Sequence, residues 1–554
     1  MEPAGAVTII LLLVLAATAL AARWKKERRN RNYPPGPLAL PIIGNLLQLR
    51  AADTCKTFRK LSEKYGPVFA LRFGSERVVV VFGYEVVREV LVNRGDEFTD
   101  RGRFPLAEKT NQNLGLFMSN GETWTQTRRF TLTTLRDFGM GRRSVEEQIQ
   151  EETRTLLREL ARTQGQPFNP ATLLSAAVGN AICRILFGER FGYGDEEYRL
   201  VLRRLAENFR LESSIAGQLY NILPGLMDRL PGPHQTLFRN NSFLQNFLAK
   251  KVAEHEATLD LGAPRDFLDA FLCRMQQEKG NPGPAFRREN LQATLFDMFV
   301  AGDGEHQRHP PLLPDAAAGA PRGGRWDGAP GRVGGTPPPP PPAPTPPLSL
   351  SAAKVRGEIE RVMGTERPPA LGDRGAMPYT EAFIHEAQRY LDLVPLGFIR
   401  GTVKRDTQLG GFTIPKGCTI YPVLSSALRD PRHFKNPEAF DPRHFLDEKG
   451  GFKKSEAFVP FSAGKRMCVG ESLARAQLFL FLTAILQRFQ LRHPPGRPRL
   501  DLRPDVSGIM NIPRPFEICF SPSEPPPRPA MPRRTPAQNP PPPFTASPPP
   551  LVPK

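Results

Sequence analysis

Phe461-Ser-Ala-Gly464-Lys-Arg466-Met-Cys468-Val-Gly470 is the stretch on which the reading of this chain turns. A single cysteine sits between two glycines, in a loop that runs into a helical pattern from Glu471 to Phe489. Glycine lets the backbone turn where other residues clash, and it lets amide N–H groups approach another atom closely. N–H groups aimed at one sulfur, with the positive end of the next helix behind them, favour a thiolate, and a thiolate is a metal ligand. Arg466, two residues earlier, is placed to meet an anion, and Phe461 to cover the sulfur and keep water off it. Taken alone, a cysteine between glycines is more often a small buried residue than a ligand.

The full spacing F-x-x-G-x-R-x-C-x-G reverses that balance. It resembles the haem-binding signature of the cytochrome P450 superfamily, with every fixed position filled, and the surrounding segments are nearest to vertebrate microsomal family 2 enzymes. The resemblance covers about residues 34–303 and 353–522. It implies a mainly α fold with a small β region, with haem held between a long helix and the Cys468 helix. Cys468 would be the axial ligand of the haem iron, where a thiolate favours O–O cleavage.

The 554 residues allow a large core, and 40% hydrophobic content fits a globular protein. Sixty prolines are many, and they are unevenly spread. A net charge of +19 points to an anionic membrane surface or an acidic protein, because no nucleic-acid-binding motif accompanies it. Six scattered cysteines without paired spacing argue for reduced thiols, not a disulfide framework. Residues 4–22 are nearly all apolar, at the lower limit of the ~17–25 that cross a bilayer. The basic cluster from Arg23 to Arg31 follows this run and none precedes it, which predicts an uncleaved transmembrane signal anchor with the rest of the chain on the cytosolic side. That places the protein in the endoplasmic reticulum membrane. Residues 23–45 then form a basic, proline-rich hinge, and 46–522 the catalytic domain.

Strands are expected at Val68–Phe73 and Arg77–Phe82 around Gly74-Ser75, a hairpin signal. Phe98 to Asn120 has no clear period and reads as a long loop; by the resemblance it covers the substrate pocket with Phe104, Leu114 and Phe117. Trp124 and Arg128 are four apart on one helix face. By themselves they read as a core tryptophan and a surface arginine, whereas the resemblance makes them haem-propionate ligands, as it does Arg400. From Ser144 to Phe299 the pattern is predominantly helical.

The stretch Arg288 to Gly302 resembles the first half of the family's long distal helix, which brings Phe296 and Ala301 to the pocket. That helix normally continues with an acid and a threonine that pass protons. Here the sequence reads Asp303-Gly304-Glu305-His306, so Asp303 and Glu305 are the substitutes available, neither at the matching position. Residues 304–352 are then dominated by Pro, Gly, Ala and Arg, a composition that reads as disordered or polyproline II. Residues 523–554 look alike. A mis-assembled coding sequence accounts for the replaced helix, and an inactive product is one reading of it.

Glu386 and Arg389 are three apart on a helix, with His444 as the third member of a structural trio in the resembling family. Val394, Leu396 and Ile509 are expected to face substrate, and Gly470 to sit at the haem. The resemblance implies a monooxygenase of the unspecific type, acting on small lipophilic molecules. Its electrons would come from NADPH through NADPH–cytochrome P450 reductase, with cytochrome b5 as a second partner. Lys453, Lys454, Lys465 and Arg129 are candidate docking charges. The rival readings are a thiolate-haem protein that rearranges peroxides or binds ligands, and a non-enzymatic membrane protein whose proline-rich segments recruit other domains.

Overall fold

The computed structural model describes residues 14, 15, 18, 32–40, 43–48, 54–74, 76–138, 143–280, 285–304, 348–401, 405–497 and 502–523. All of the anchor at 4–22 but residues 14, 15 and 18, together with Glu305, most of the insert and the tail from 524, lies outside the described residues. Among the described residues no helix is long and apolar enough to cross a membrane.

The chain opens with α1 (Thr54–Tyr65), β1 (Val68–Phe73), β2 (Glu76–Val81) and α2 (Tyr84–Arg88). A wider five-residue turn, Glu89–Asn93, continues α2. Then come α3 (Pro105–Asn111), α4 (Gly115–Met118), α5 (Gly121–Asp137), α6 (Arg143–Arg162), α7 (Ala171–Phe187) and α8 (Glu196–Ser213). They are followed by α9 (Ile215–Ile222), α10 (Pro224–Met227), α11 (Pro233–Ala257), α12 (Phe267–Gln277) and α13 (Arg288–Gly304). Past the insert lie α14 (Leu348–Val362), α15 (Pro378–Leu391), β3 (Thr407–Leu409), β4 (Phe412–Ile414), β5 (Thr419–Pro422) and α16 (Leu424–Leu428). The chain ends with α17 (Glu471–Arg488), β6 (Phe489–Arg492), β7 (Pro504–Ser507), β8 (Asn511–Pro513) and β9 (Cys519–Pro522).

Val78 to Val81 are buried on both sides, the pattern of a central strand. Accordingly β2 pairs antiparallel with β1 (Phe73 opposite Glu76) and parallel with β5 (Val78 opposite Thr419). The proline hinge docks on this sheet: Ala70 N–H donates to Pro35 O at 2.8 Å, and Asn45 N–H to Arg72 O at 2.7 Å. A side chain at Gly36 would meet Ala70 O at 1.9 Å, so the close approach requires glycine.

The helical core is centred on α17. Leu473, Phe479, Leu480, Leu482 and Ile485 are each at most 3% exposed, and bury against residues of α6, α14 and α15 such as Leu156, Val355 and Phe383. Each such side chain contributes roughly 1.5–3 kcal/mol of burial. Helix α13 runs through the same core on Leu291, Leu295 and Phe299. Pro105, Pro233 and Pro378 open helices at the first turn, where a missing N–H costs nothing.

Two expectations need correction. The stretch from Phe98 to Asn120 is not a bare loop, because it holds α3 and α4. Asn290 and Asp297 of α13 anchor α4, accepting from Gly115 N–H at 2.9 Å and Phe117 N–H at 2.8 Å, support that no local pattern announces. Helix α14 begins at Leu348, inside the span assigned to the insert. Ser351 and Ala352 are 1% exposed and belong to the packed domain, with Tyr379 O–H reaching Ser351 Oγ at 3.1 Å.

Candidate functional site

The loop before α17 is closed by Cys468 N–H donating to Phe461 O at 3.0 Å and Met467 N–H to Gly464 O at 3.0 Å. Gly464 has φ +70°, and a Cβ there would lie 1.7 Å from Leu91 O. Only glycine fits where the loop crosses the end of the Glu89–Asn93 turn. Gly470 differs: its φ of −89° is ordinary, and a Cβ would touch Cys468 Sγ at 3.8 Å, a normal contact. Glycine there is no backbone necessity. Cys468 is half-buried, and none of the six cysteines is in a disulfide.

Cys468 borders a cavity of about 290 Å³. Of the residues expected at the pocket, Phe104, Phe117, Phe296, Ala301, Val394 and Ile509 line it, and Phe461 walls it beside the cysteine. Leu114 and Leu396 do not. Leu114 stands at the start of α4, and Leu396 packs with Phe58, Val78, Val80 and Val423 under the sheet. Gly397, with φ +60°, turns the chain just after it, and Phe398 is the ring that reaches the cavity instead. Asp303 lies in the last turn of α13, and Glu305 is outside the described residues.

Four guanidinium groups border the same cavity: Arg101, Arg128, Arg400 and Arg466. Arg128 donates to Met467 O at 2.7 Å. Arg466 donates from Nε to Thr99 O at 2.9 Å and from Nη2 to Ser119 O at 2.7 Å, and its guanidinium lies 4.0 Å over the Trp124 ring. Arg101 is caged by Phe117 O at 3.0 Å and Ile399 O at 3.2 Å, between the rings of Phe117 and Phe398. Arg400 is 3% exposed and donates to Ser462 Oγ at 3.1 Å, but its Nε and Nη1 have no partner, and neither has the buried Trp124 Nε1. Burial and then the neighbouring Arg128 push Arg400 down to about 10, and burial followed by Arg400, Arg466 and Arg128 lowers Arg101, with Asp297 partly opposing. The same causes, with Asp100 partly opposing, push Arg466 down to about 9. Crowded like charges with unmade N–H bonds want a multivalent anion. Arg101 was not among the sequence candidates: Asp100-Arg101-Gly102 reads only as a turn.

Behind the cysteine loop, Glu386 and Arg389 of α15 form a fully buried pair. His444 Nδ1 lies 3.1 Å from Glu386 Oε2, and Asp441 N–H donates to Glu386 Oε1 at 2.7 Å. Arg389 also donates to the carbonyls of Leu428, Pro437 and Ala439 at 3.1, 2.8 and 2.8 Å. The trio thus clamps the loop 428–444 onto α15.

The family model for cytochrome P450 matches residues 34–303 and 351–520. The chain belongs to the cytochrome P450 family. It is 43% identical over 524 residues to cytochrome P450 2H2 of Gallus gallus, covering 93% of this chain and 98% of that one. It is 44% identical over 514 residues to cytochrome P450 2C20 of Macaca fascicularis and 43% to cytochrome P450 2C8 of Homo sapiens, each covering 93% of this chain and 99% of the relative. Family 2 is thus where its similarity lies.

Haem is the cofactor of cytochromes P450, and the residues present fit it. Two propionates would supply the anions that Arg101, Arg128, Arg400 and Arg466 lack, and acceptors for Trp124 Nε1 and the free Arg400 N–H groups. Cys468 would ligate the iron from the α17 side, and Ala301 borders the cavity from α13. In this cytochrome P450 the matched segments leave 304–350 uncovered, which is where the sequence departs from the distal-helix pattern.

Proposed function

We propose that this cytochrome P450 is an oxygenase of small lipophilic substrates, inserting one atom of O₂ with electrons from NADPH through NADPH–cytochrome P450 reductase. The observation that carries it is the set of unpartnered buried donors on Arg400, in the cavity that Cys468 borders, and on Trp124, whose ring lies under Arg466 of the same cavity wall. Bound haem supplies the oxygen-activating centre, and a thiolate ligand favours O–O cleavage. The chain's own residues do the rest. Cys468 donates the thiolate, Phe461 walls the sulfur from the outer surface, and Phe104, Phe117, Phe296 and Val394 bind the substrate and exclude water. Anchoring in the endoplasmic reticulum membrane by residues 4–22 would bring reductase and lipophilic substrate to the same surface, with cytochrome b5 as a second donor.

The test is the reduced, CO-bound absorbance spectrum of the full-length protein and of Cys468→Ala. A Soret band at the thiolate position in the first and its loss in the second are expected. A variant that keeps the band would overturn the assignment.

One observation favours a second reading. The described part of α13 ends at Gly304, where the family match also breaks, so the acid and threonine that pass protons have no matching residues. A thiolate-haem protein lacking them would turn over with peroxide, whereas the oxygenase needs NADPH, reductase and O₂. Comparing the two regimes on one substrate decides between them.

A further inference from the structure

Asn111, the last residue of α3, is 9% exposed and borders the cavity. Its Nδ2 donates to Asp297 Oδ1 at 3.1 Å, while its Oδ1 has no partner. Above about pH 7, with Asp297 ionised, reversing the amide would press its oxygen against the carboxylate, so in that state the pair leaves Asn111 Oδ1 over. Of the described buried side-chain acceptors without a partner, this is the one that borders the cavity. Nearby polar groups are already engaged. Thr110 donates to Leu106 O at 2.9 Å and accepts from Asn241 at 3.1 Å, and Asn241 accepts from Asn208 at 2.7 Å.

The place is defined along α13. Asp297 lies one helical turn, about 6 Å, before Ala301, and Ala301 shares the cavity with Cys468. A donor bound at Asn111 would leave the other end of a molecule toward the cysteine. The charge of that donor is constrained too. A carboxylate would meet the Asn111 oxygen lone pairs and the Asp297 carboxyl beside them, and an ammonium would have to shed its hydration in a cavity bordered by four guanidinium groups. A neutral O–H or N–H has neither conflict.

Resting on the oxygenase reading above, we infer that Asn111 Oδ1 selects lipophilic substrates carrying a neutral hydrogen-bond donor, and holds that donor at the end of the cavity remote from Cys468. An unmet buried acceptor disfavours any ligand that fills the space without a donor, so discrimination comes from the mismatch as much as from the bond.

The test is calorimetric titration of the full-length, haem-loaded protein with 6-phenylhexan-1-ol and with its methyl ether, which keeps the length and loses the donor. The alcohol is expected to bind about tenfold more tightly. In Asn111→Leu, of similar volume, the two should bind within about twofold. Equal affinities in the unaltered protein, or a preference that survives in the leucine variant, overturn the inference. Should that variant not fold, the comparison in the unaltered protein still decides. The reduced CO spectrum of the same sample separates the two levels of argument. Protein that loads haem but does not discriminate sinks this inference alone, and protein that takes up no haem sinks both.

Discussion

Glu386 and Arg389 meet as a two-point ion pair, with Nε–Oε2 and Nη2–Oε1 both at 2.7 Å and neither side chain reaching solvent. Removing one partner strands a charge in the core. Arg389→Ala would also orphan three carbonyls and release the clamp on loop 428–444. We expect Glu386→Ala and Arg389→Ala each to lose about 3–5 kcal/mol and to yield protein without haem absorbance. His444→Ala keeps the pair and should cost about 1–3 kcal/mol. Chemical denaturation checks the order; equal losses for the three would argue against the clamp.

Arg400 carries unmet donors among three other guanidinium groups. Without an anion its charge is a burden, as the lowered proton affinities of Arg400 and Arg466 record. Arg400→Leu should therefore leave the haem-free protein as stable or more so, while haem dissociates about tenfold faster. Thermal unfolding of the apoprotein and haem transfer to apomyoglobin read the two effects. A variant that destabilises the apoprotein and leaves haem transfer unchanged would contradict the assignment.

Asp297 lies under α4, and burial pushes its carboxyl up to about 7 against the N–H donors of Phe117, Leu116 and Asn111. Part of its surface borders the cavity, so a bound ligand deepens the burial. The unfolded chain ionises this group near ~3.9. Between that value and about 7 the folded state holds a proton that the unfolded state does not, so the contribution to stability falls as pH rises through this window and levels off above it. Asp297→Asn should remove a slope of at most ~1.4 kcal/mol per pH unit. Denaturation midpoints from pH 5 to 8 test it, and parallel curves for the two proteins would reject it.

The cysteine motif is legible because its spacing is written within ten residues, whereas the Trp124–Arg128 and Glu386–Arg389 pairs stand out only through the family resemblance. Most of the helices and the β1–β2 hairpin follow from apolar periodicity and from Gly74-Ser75. What escaped depends on distant chain. Arg101 is placed by the carbonyls of Phe117 and Ile399, and α4 by Asn290 and Asp297 across the fold. Leu396 has a pocket residue's chemistry, but the turn at Gly397 decides which ring faces the cavity. The basic, proline-rich hinge is legible from its composition, but its docking along β1 depends on a strand further down the chain.

Arg129, Lys453 and Lys454 are exposed, and Lys465 of the cysteine loop is exposed while pairing with Asp96. Beside Lys454 runs a groove of about 410 Å³, whose rim carries the apolar side chains of Val92 and Met467, 47% and 41% exposed. An acidic flavoprotein approaching this face would be drawn by the charges and seated by the apolar rim. Steering of this kind acts on the encounter rate and weakens as salt shortens the Debye length, about 10 Å at 0.1 M. Reversing Lys465 and Arg129 to glutamate should slow reduction by NADPH–cytochrome P450 reductase several-fold at low ionic strength. The same variant should show a flatter salt dependence, while peroxide-supported turnover, which needs no partner, stays within about twofold. Stopped-flow reduction at several salt concentrations reads all of this. Unchanged rates would remove these two side chains from the docking surface, and an equal loss in the peroxide reaction would mean that the substitutions had damaged the site itself.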